Sequence, residues 1–147
     1  MSTMQPEQAA LTKAFEVQSG DFSAAGDASA GIKRVLKKLG IDSAVVRRVS
    51  IASYEAELNL IIHSHGGQLV LSVTQDRVEL VSKDVGPGIE DVNQAMVAGY
   101  STAPESVRTL GFGAGMGLPN MQRVADTFDI QSQLGVGTTI DMAFHLA

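Results

Sequence analysis

The sequence predicts an α/β (α+β) two-layer sandwich, in which helices cover one face of a mixed, largely antiparallel sheet. Two observations lead to this fold class. Segments with strand character follow one another directly at two places, as in hairpins, and helical patterns separate these pairs from each other and from a first strand. The chain has 147 residues, of which 44% are hydrophobic, and this is enough for one buried core. We therefore expect a single domain over residues 1–147, with residues 1–13 as a loose polar lead-in.

Each element is predicted from its local pattern. Asp42 is placed to cap the long second helix, and Gly40 and Gly66 follow the two long helices as stop signals. Gln75 and Asp76 form the expected tight turn between two alternating segments. In the first half of the chain we predict a strand over 15–19, a helix from a cap at Asp21 or Ser23 to about 39, and a helix over 43–63. Strands over 68–74 and 77–83 follow, and then a short helix over 90–98. The remainder is predicted as a long loop over 99–117, a helix over 118–128, and hairpin strands over 130–134 and 138–146.

Composition and charge exclude several classes of function. The absence of cysteine excludes a disulfide framework, a thiolate metal site and a cysteine nucleophile. A net charge of -5 argues against binding of duplex nucleic acid, which normally needs a basic face. No apolar run approaches the roughly 20 residues of a membrane span, and the start of the chain lacks the pattern of a signal peptide. We therefore expect a cytoplasmic protein with no nucleic-acid and no membrane partner.

Glycine is distributed unevenly along the chain, because seven of the 15 glycines lie within residues 86–117. The first group lies in Asp84-Val85-Gly86-Pro87-Gly88-Ile89, directly after a predicted strand. Two glycines around a proline allow a sharp bend, and a carboxylate at a strand end can accept a hydrogen bond from an amine. The alternative interpretation is a plain turn from strand to helix, for which the same residues are suitable.

The second group places glycine at every second position, Gly111, Gly113, Gly115 and Gly117, before a helix that starts with Leu118. Alternating glycines expose successive backbone N–H groups, and a helix N-terminus adds a positive dipole end, so the pattern favours an anion such as phosphate. The spacing is neither that of a Rossmann fingerprint nor that of a Walker A loop. The alternative is a merely flexible loop, although a loop this long in a compact domain is usually a functional lid.

A row of polar residues marks one edge of the second helix. Glu55, Asn59 and His63 are spaced by four and therefore share one helix face. A carboxylate can act as a general base, and an amide oxygen is a hard ligand suited to Mg²⁺. Taken alone, the row is also compatible with a solvated polar stripe. A fourth feature, Thr138 at the start of the last strand, has a hydroxyl that can reach a buried ligand.

In this order the four features resemble the conserved boxes of the GHKL ATPases, a superfamily that includes gyrase and the histidine kinases and whose nucleotide site is the Bergerat fold. The helix box corresponds to Glu55 and Asn59, and the first glycine box corresponds to Asp84, Gly86 and Gly88. The alternating glycines correspond to the second glycine box. The resemblance extends over about residues 15–146.

The resemblance implies an ATP site and a role for each residue. Asp84 is expected to hydrogen-bond the adenine amine, assisted by Thr138, and Asn59 to bind Mg²⁺. Glu55 is expected to orient or deprotonate an attacking hydroxyl, and His63 to lie near the phosphates. The remaining nucleotide-binding positions that the resemblance implies are Gly86, Gly88, Ile89, Gly111, Gly113, Gly115, Gly117 and Leu118.

Within this superfamily the chain looks most like the small serine/threonine kinases of bacterial partner-switching systems, the anti-sigma-factor and stressosome-switch type. That resemblance implies an ATP- and Mg²⁺-dependent kinase whose partners are a STAS-domain antagonist and a downstream phosphatase or sigma factor, with a homodimer as a further form. Two alternatives stay open: an anti-sigma factor acting by stoichiometric binding, and the ATP-binding module of a histidine kinase.

A basic cluster in the first two helices is either a solvated surface or a docking site for an acidic partner. It comprises Lys33, Arg34, Lys37, Lys38, Arg47 and Arg48.

Overall fold

The computed structural model describes residues 11–97 and 117–146. The described strands are β1 (Leu11–Val17), β2 (Gly67–Val73), β3 (Arg77–Asp84), β4 (Thr127–Gln133) and β5 (Gly137–His145). The described α-helices are α1 (Asp27–Lys38), α2 (Ser43–His63), α3 (Val92–Ala95) and α4 (Gly117–Val124), and a short 3-10 turn spans Phe22–Ala24. None of the helices in these ranges is both long and apolar enough to cross a membrane.

The strands form one five-stranded sheet in the order β1-β2-β3-β5-β4. All four pairings between neighbouring strands are antiparallel, so the predicted fold class is confirmed, and no parallel pair occurs among the described strands. The two hairpins, β2–β3 and β4–β5, are the directly successive strands that the sequence indicated. Because β5 lies between β3 and β4, the end of β3 meets the beginning of β5 in the middle of the sheet.

The core lies between the sheet and the helices, and it is almost entirely aliphatic. Leu69, Leu71, Val78 and Leu80 are completely buried on the helix-facing side of β2 and β3. Phe144 is the one aromatic residue among the described side chains that are completely buried, in agreement with the low aromatic content. Burial of this apolar surface is the main stabilising term of the fold.

Helix α2 has the predicted bounds, Ser43–His63. The carboxylate of Asp42 accepts a hydrogen bond from the backbone N–H of Ala44 at 3.1 Å, as expected for an N-cap. At the other end the hydroxyl of Ser64 donates to the carbonyl of Leu60 at 2.6 Å and accepts from the N–H of Gly66 at 3.0 Å. The local capping signals therefore determined both ends of this helix.

The predicted cap of α1 is wrong. The helix starts at Asp27, and its N-cap residue is Gly26, with φ of 99°. The side chain of Asp21 makes no capping hydrogen bond there. The carboxylate of Glu57, which is only 2% exposed, instead accepts hydrogen bonds from the N–H groups of Gly26, Ala28 and Ser29 at 3.0 to 3.2 Å. A carboxylate from a neighbouring helix thus supplies the capping group.

Several other boundaries differ from the predictions because pairing between distant strands decides them. β1 begins at Leu11, opposite Val73, so residues 11–13 belong to the sheet and not to a polar lead-in. The helix predicted over 118–128 ends at Val124, and Phe128 belongs to β4, opposite Met142. The short helix predicted over 90–98 covers only Val92–Ala95. Most of the predicted lid over 99–117 lies outside the described residues.

Candidate active site

The first part of the candidate site lies where β3 ends beside the start of β5. The carboxylate of Asp84 accepts a hydrogen bond from the N–H of Thr138 at 2.9 Å. Burial raises the pKa of Asp84 above its ordinary value of 3.8, while the bond from Thr138 and the nearby His65 act in the opposite direction. The structure therefore brings together two residues that the sequence assigned to adenine recognition.

Ser132 on β4 connects this pair to the glycine turn. Its hydroxyl oxygen lies 2.8 Å from the hydroxyl oxygen of Thr138 and accepts a hydrogen bond from the N–H of Ile89 at 2.7 Å. Thr138 is only 8% exposed, so its hydroxyl is part of an internal network. Ile89 takes part in the site through its backbone N–H.

Both glycines of the first box lie in close contact with neighbouring backbone, and the contact at Gly88 requires glycine. Gly88 has φ of 77°, and a Cβ atom there would lie 2.6 Å from the carbonyl oxygen of Gln133. The N–H of Gly86 donates to the carbonyl of Val136 at 3.1 Å, and a Cβ on Gly86 would lie 3.2 Å from the Cα of Ser64. The turn after β3 is thus held between the β4–β5 turn and the end of α2.

The second part of the candidate site is formed by α2 and α4. The amide nitrogen of Asn120 on α4 donates a hydrogen bond to Oε2 of Glu55 at 2.6 Å. One turn further along α2, the side-chain oxygen of Asn59 lies 3.3 Å from the place that a Cβ on Gly117 would take. The first turn of α4 therefore packs directly on the Glu55–Asn59 edge, and glycine at position 117 permits this close approach.

Glu55 and Glu57 lie in different surroundings, although they are only two positions apart on α2. Glu57 points to the buried N-terminus of α1, whereas Glu55 is only half-buried and lies on the α4 side of the helix. Of these two carboxylates, only Glu55 is placed to meet a reactant.

His63 occupies the last position of α2 and is exposed. Desolvation by the atoms on its buried side lowers its pKa below the ordinary value of 6.5. The lowered pKa favours the neutral imidazole. The position of His63 near the phosphates stays a prediction.

The remaining predicted nucleotide-binding positions are Leu118 and three glycines. The side chain of Leu118 is 7% exposed and belongs to the core, so it can contribute to a nucleotide site only through its backbone. Gly111, Gly113 and Gly115 lie outside the described residues.

Sequence reasoning missed Asn120 and Ser132. Asn120 follows Gly117 by three positions, which places both residues on one face of a helix, and that spacing is a signal that could have identified it. Ser132 occupies a helix-facing position of β4, where the alternation of the strand calls for an apolar residue. A small polar residue at such a position is a second signal that could have been used.

Comparisons with known proteins identify the family of the chain. The histidine kinase-like ATPase domain family matches residues 21–144, so the chain belongs to this family. The match covers all the described site residues, and the resemblance to the GHKL ATPases is confirmed.

Individual relatives narrow the class. Serine/threonine-protein kinase RsbT of Bacillus subtilis is 31% identical over 112 residues, which cover 74% of this chain and 78% of that protein. The anti-sigma F factor of Halalkalibacterium halodurans is 36% identical over 98 residues, and that of Heyndrickxia coagulans is 36% identical over 100 residues. Each of these two matches covers 63% of this chain, and the chain spans 64% and 65% of their lengths. The similarity to the kinase RsbT, together with the family match, confirms the predicted enzyme class, a protein serine/threonine kinase.

Proposed function

We propose that this chain is an ATP- and Mg²⁺-dependent serine/threonine protein kinase of a bacterial partner-switching system that works in the cytoplasm. Its proposed protein substrate is a STAS-domain antagonist, and its second partner is a phosphatase or a sigma factor. The observation that carries the proposal is the edge of α2 on which Glu55 is held by Asn120 and Asn59 lies against Gly117.

The residues at the end of β3 fit an adenine ring. Asp84 is a half-buried carboxylate whose position is fixed by the N–H of Thr138, so it can accept a hydrogen bond from an exocyclic amine. The glycine turn beside it is fixed by its close contacts with Ser64 and Gln133, so the chain that follows the carboxylate has a defined path. The role of Asp84 and Thr138 is to select and orient the base.

The donor at Asn59 fits Mg²⁺. Its amide oxygen is a hard, neutral ligand, and Mg²⁺ commonly takes one or two protein oxygens together with substrate phosphates. When bound, Mg²⁺ would neutralise charge on the phosphates. The task of Asn59 is then to hold this charge at the same edge of α2 as Glu55.

Glu55 is the proposed base. Phosphoryl transfer depends mainly on positioning and on charge stabilisation, so one oriented carboxylate is sufficient as a catalytic side chain. A carboxylate oxygen of Glu55 would accept the proton of a serine or threonine hydroxyl. At the same time the hydroxyl oxygen would bond to the γ-phosphorus, and the bond from this phosphorus to ADP would break. Glu55 lies one helical turn from Asn59, so both side chains project from the same face of α2.

A second candidate is an anti-sigma factor that acts by stoichiometric binding. The similarity to two anti-sigma F factors favours it. In that case a nucleotide would only support the binding conformation, and Glu55 would have no chemical task.

The test is to incubate the chain with γ-labelled ATP, Mg²⁺ and each STAS-domain protein of the same organism in turn. We expect one of them to be labelled on serine or threonine, and we expect Glu55→Gln to bind ATP normally but to transfer label only at a small residual rate. Equal labelling by the wild type and Glu55→Gln would disprove the assignment of Glu55. Absence of labelling together with tight binding of a sigma factor would favour the second candidate.

A further inference from the structure

The hydrogen bond from α4 to Glu55 gives Asn120 a task that packing of the helix does not require. We propose that Asn120 is a positioning residue, whose side-chain amide fixes the Glu55 carboxylate in the orientation used for phosphoryl transfer. This inference rests on the proposed function, because it has a consequence only if Glu55 acts on the attacking hydroxyl.

The first argument is the contact itself. Nδ2 of Asn120 lies 2.6 Å from Oε2 of Glu55, which is a short, charge-assisted hydrogen bond. The terminal torsion of a glutamate is broad and weakly restricted, so a carboxylate without such a partner samples many orientations. The bond engages one oxygen and so determines where the other oxygen of the same carboxylate points.

The second argument is that Asn120 is itself held in one orientation. Its Oδ1 accepts a hydrogen bond from the guanidinium of Arg123 at 2.7 Å, three positions further along α4. Arginine only donates hydrogen bonds, so the amide oxygen must face Arg123 and the NH₂ group must face Glu55. Arg123 thus selects the orientation in which Asn120 can hold a carboxylate.

The third argument concerns the chemistry of the donor. A lysine or arginine in place of Asn120 would hold the carboxylate but would oppose its uptake of a proton, because the positive charge stabilises the ionised form. A neutral amide orients the group and lowers its basicity less than a full positive charge would. The donor at this position is therefore compatible with a general base.

The experiment compares Asn120→Ala with the neighbouring exposed control Gln122→Ala. Transfer from labelled ATP is measured to the STAS-domain protein that the wild type phosphorylates, and the slow hydrolysis of ATP with water as acceptor is followed as a second reaction. We expect Asn120→Ala to lower kcat by about 10- to 100-fold, because a small misplacement of a catalytic group has effects of this size. The affinity for ATP should change by less than about twofold, and Gln122→Ala should resemble the wild type.

A double-mutant cycle separates positioning from a merely structural role. In the Glu55→Gln background, Asn120→Ala should change the residual rate by less than about twofold, since the group that Asn120 positions is already absent. A further large loss in this background would overturn the proposal. A wild-type kcat in the Asn120→Ala variant would also overturn the proposal. In that case the comparison of Glu55→Gln with the wild type would still show whether the proposed function holds. If the wild type transfers phosphate to neither acceptor, the proposed function is wrong and the inference falls with it.

Discussion

At the scale of single residues, the most informative side chain is one that the sequence did not single out. Ser132 links the N–H of Ile89, in the glycine turn, to the hydroxyl of Thr138 at the start of β5. These two segments are the walls of the candidate adenine site. One hydroxyl on β4 therefore connects the two segments, in addition to the hydrogen bond from the N–H of Gly86 to the carbonyl of Val136.

We expect Ser132→Ala to lower the free energy of unfolding by about 1–2 kcal/mol, because it leaves a half-buried N–H and a buried hydroxyl without their partner. ATP binding should weaken as well, since the turn loses one of the hydrogen bonds that hold it beside β5. Chemical denaturation and calorimetry measure the two effects. The matched control is Ser72→Ala, because Ser72 lies on the open face of the sheet and makes only a 3.4 Å contact with Thr12. If both alanine variants behave alike, Ser132 has no special role.

At the scale of elements, α2 organises the molecule. Its different faces cap α1 through Glu57, contact α4 through Glu55 and Asn59, and pack on the sheet through apolar residues such as Val49 and Leu60. A substitution on one face of α2 is therefore expected to affect mainly the stability of the fold, and a substitution on another face mainly phosphoryl transfer.

Glu57→Ala should reduce the free energy of unfolding by about 2–4 kcal/mol, because three N–H groups at the N-terminus of α1 lose a buried, charged acceptor. Glu55→Ala, two positions earlier, should cost much less stability and should instead abolish transfer. Thermal unfolding followed by circular dichroism provides the comparison. Equal destabilisation by the two variants would contradict the division of roles between these carboxylates.

Arg47 and Arg48 are neighbours on α2, and we expect one to affect partner binding and the other to affect stability. Arg48 forms an ion pair with Asp126 at 2.7 Å and covers the ring of Phe144, so it is a structural residue and not a free member of the basic cluster. Hydrogen bonds from Arg48 and from the N–H of His145 lower the pKa of Asp126. A carboxyl group with a lowered pKa in the folded state stabilises the protein above its unfolded pKa, and this contribution is lost as the pH falls through the folded value.

We therefore expect Arg48→Glu to lower the melting temperature at neutral pH, and the difference from the wild type to shrink on acidification. Arg47→Glu, on the exposed face, should leave the melting temperature unchanged and should weaken binding of an acidic partner if the basic cluster is a docking site. Melting curves over a range of pH, together with partner titrations, test both statements. A stable Arg48→Glu variant would show that the ion pair contributes nothing.

At the scale of the whole molecule, the sheet face opposite the helices carries an electrostatic conflict. Asp129 on β4 lies directly opposite Asp141 on β5. Desolvation first, and then the charge of Asp129, raise the pKa of Asp141. A raised pKa in the folded state means that the group costs stability once it is ionised, so this cost appears as the pH rises through the raised value.

Asp129→Asn should therefore stabilise the protein at neutral pH by about 0.2–1 kcal/mol, the usual size of a cross-strand charge effect. The gain should disappear at a pH low enough to protonate Asp141. Denaturant unfolding at the two pH values measures it. A gain that does not depend on pH would show that charge repulsion is not its cause.

A contact could be predicted from the sequence when its two residues are close to each other along the chain. Helix α2 was predicted with its bounds because Asp42 and Ala44, which form its cap, are neighbours in the chain. The capping of α1 by Glu57 and the contact between Glu55 and Asn120 join residues 28 to 65 positions apart, and local pattern carries no information on such pairs. Asp84 and Thr138 were an intermediate case, because only the family resemblance placed them in one site before the structure joined them.

The central claim is that the end of β3 binds the adenine of ATP through Asp84. The most direct test is the calorimetric affinity for Mg²⁺-ATP of the wild type and of Asp84→Asn. The variant should fold normally, because asparagine can still accept the hydrogen bond from Thr138 and no partly buried charge remains. Its affinity should fall by about 10- to 100-fold, since a hydrogen bond to a charged group contributes about 1.5–3 kcal/mol. The wild-type affinity should also decrease on acidification, beginning above the ordinary aspartate value of 3.8, because burial raises the pKa of Asp84. Undiminished affinity in a folded Asp84→Asn variant would contradict the claim.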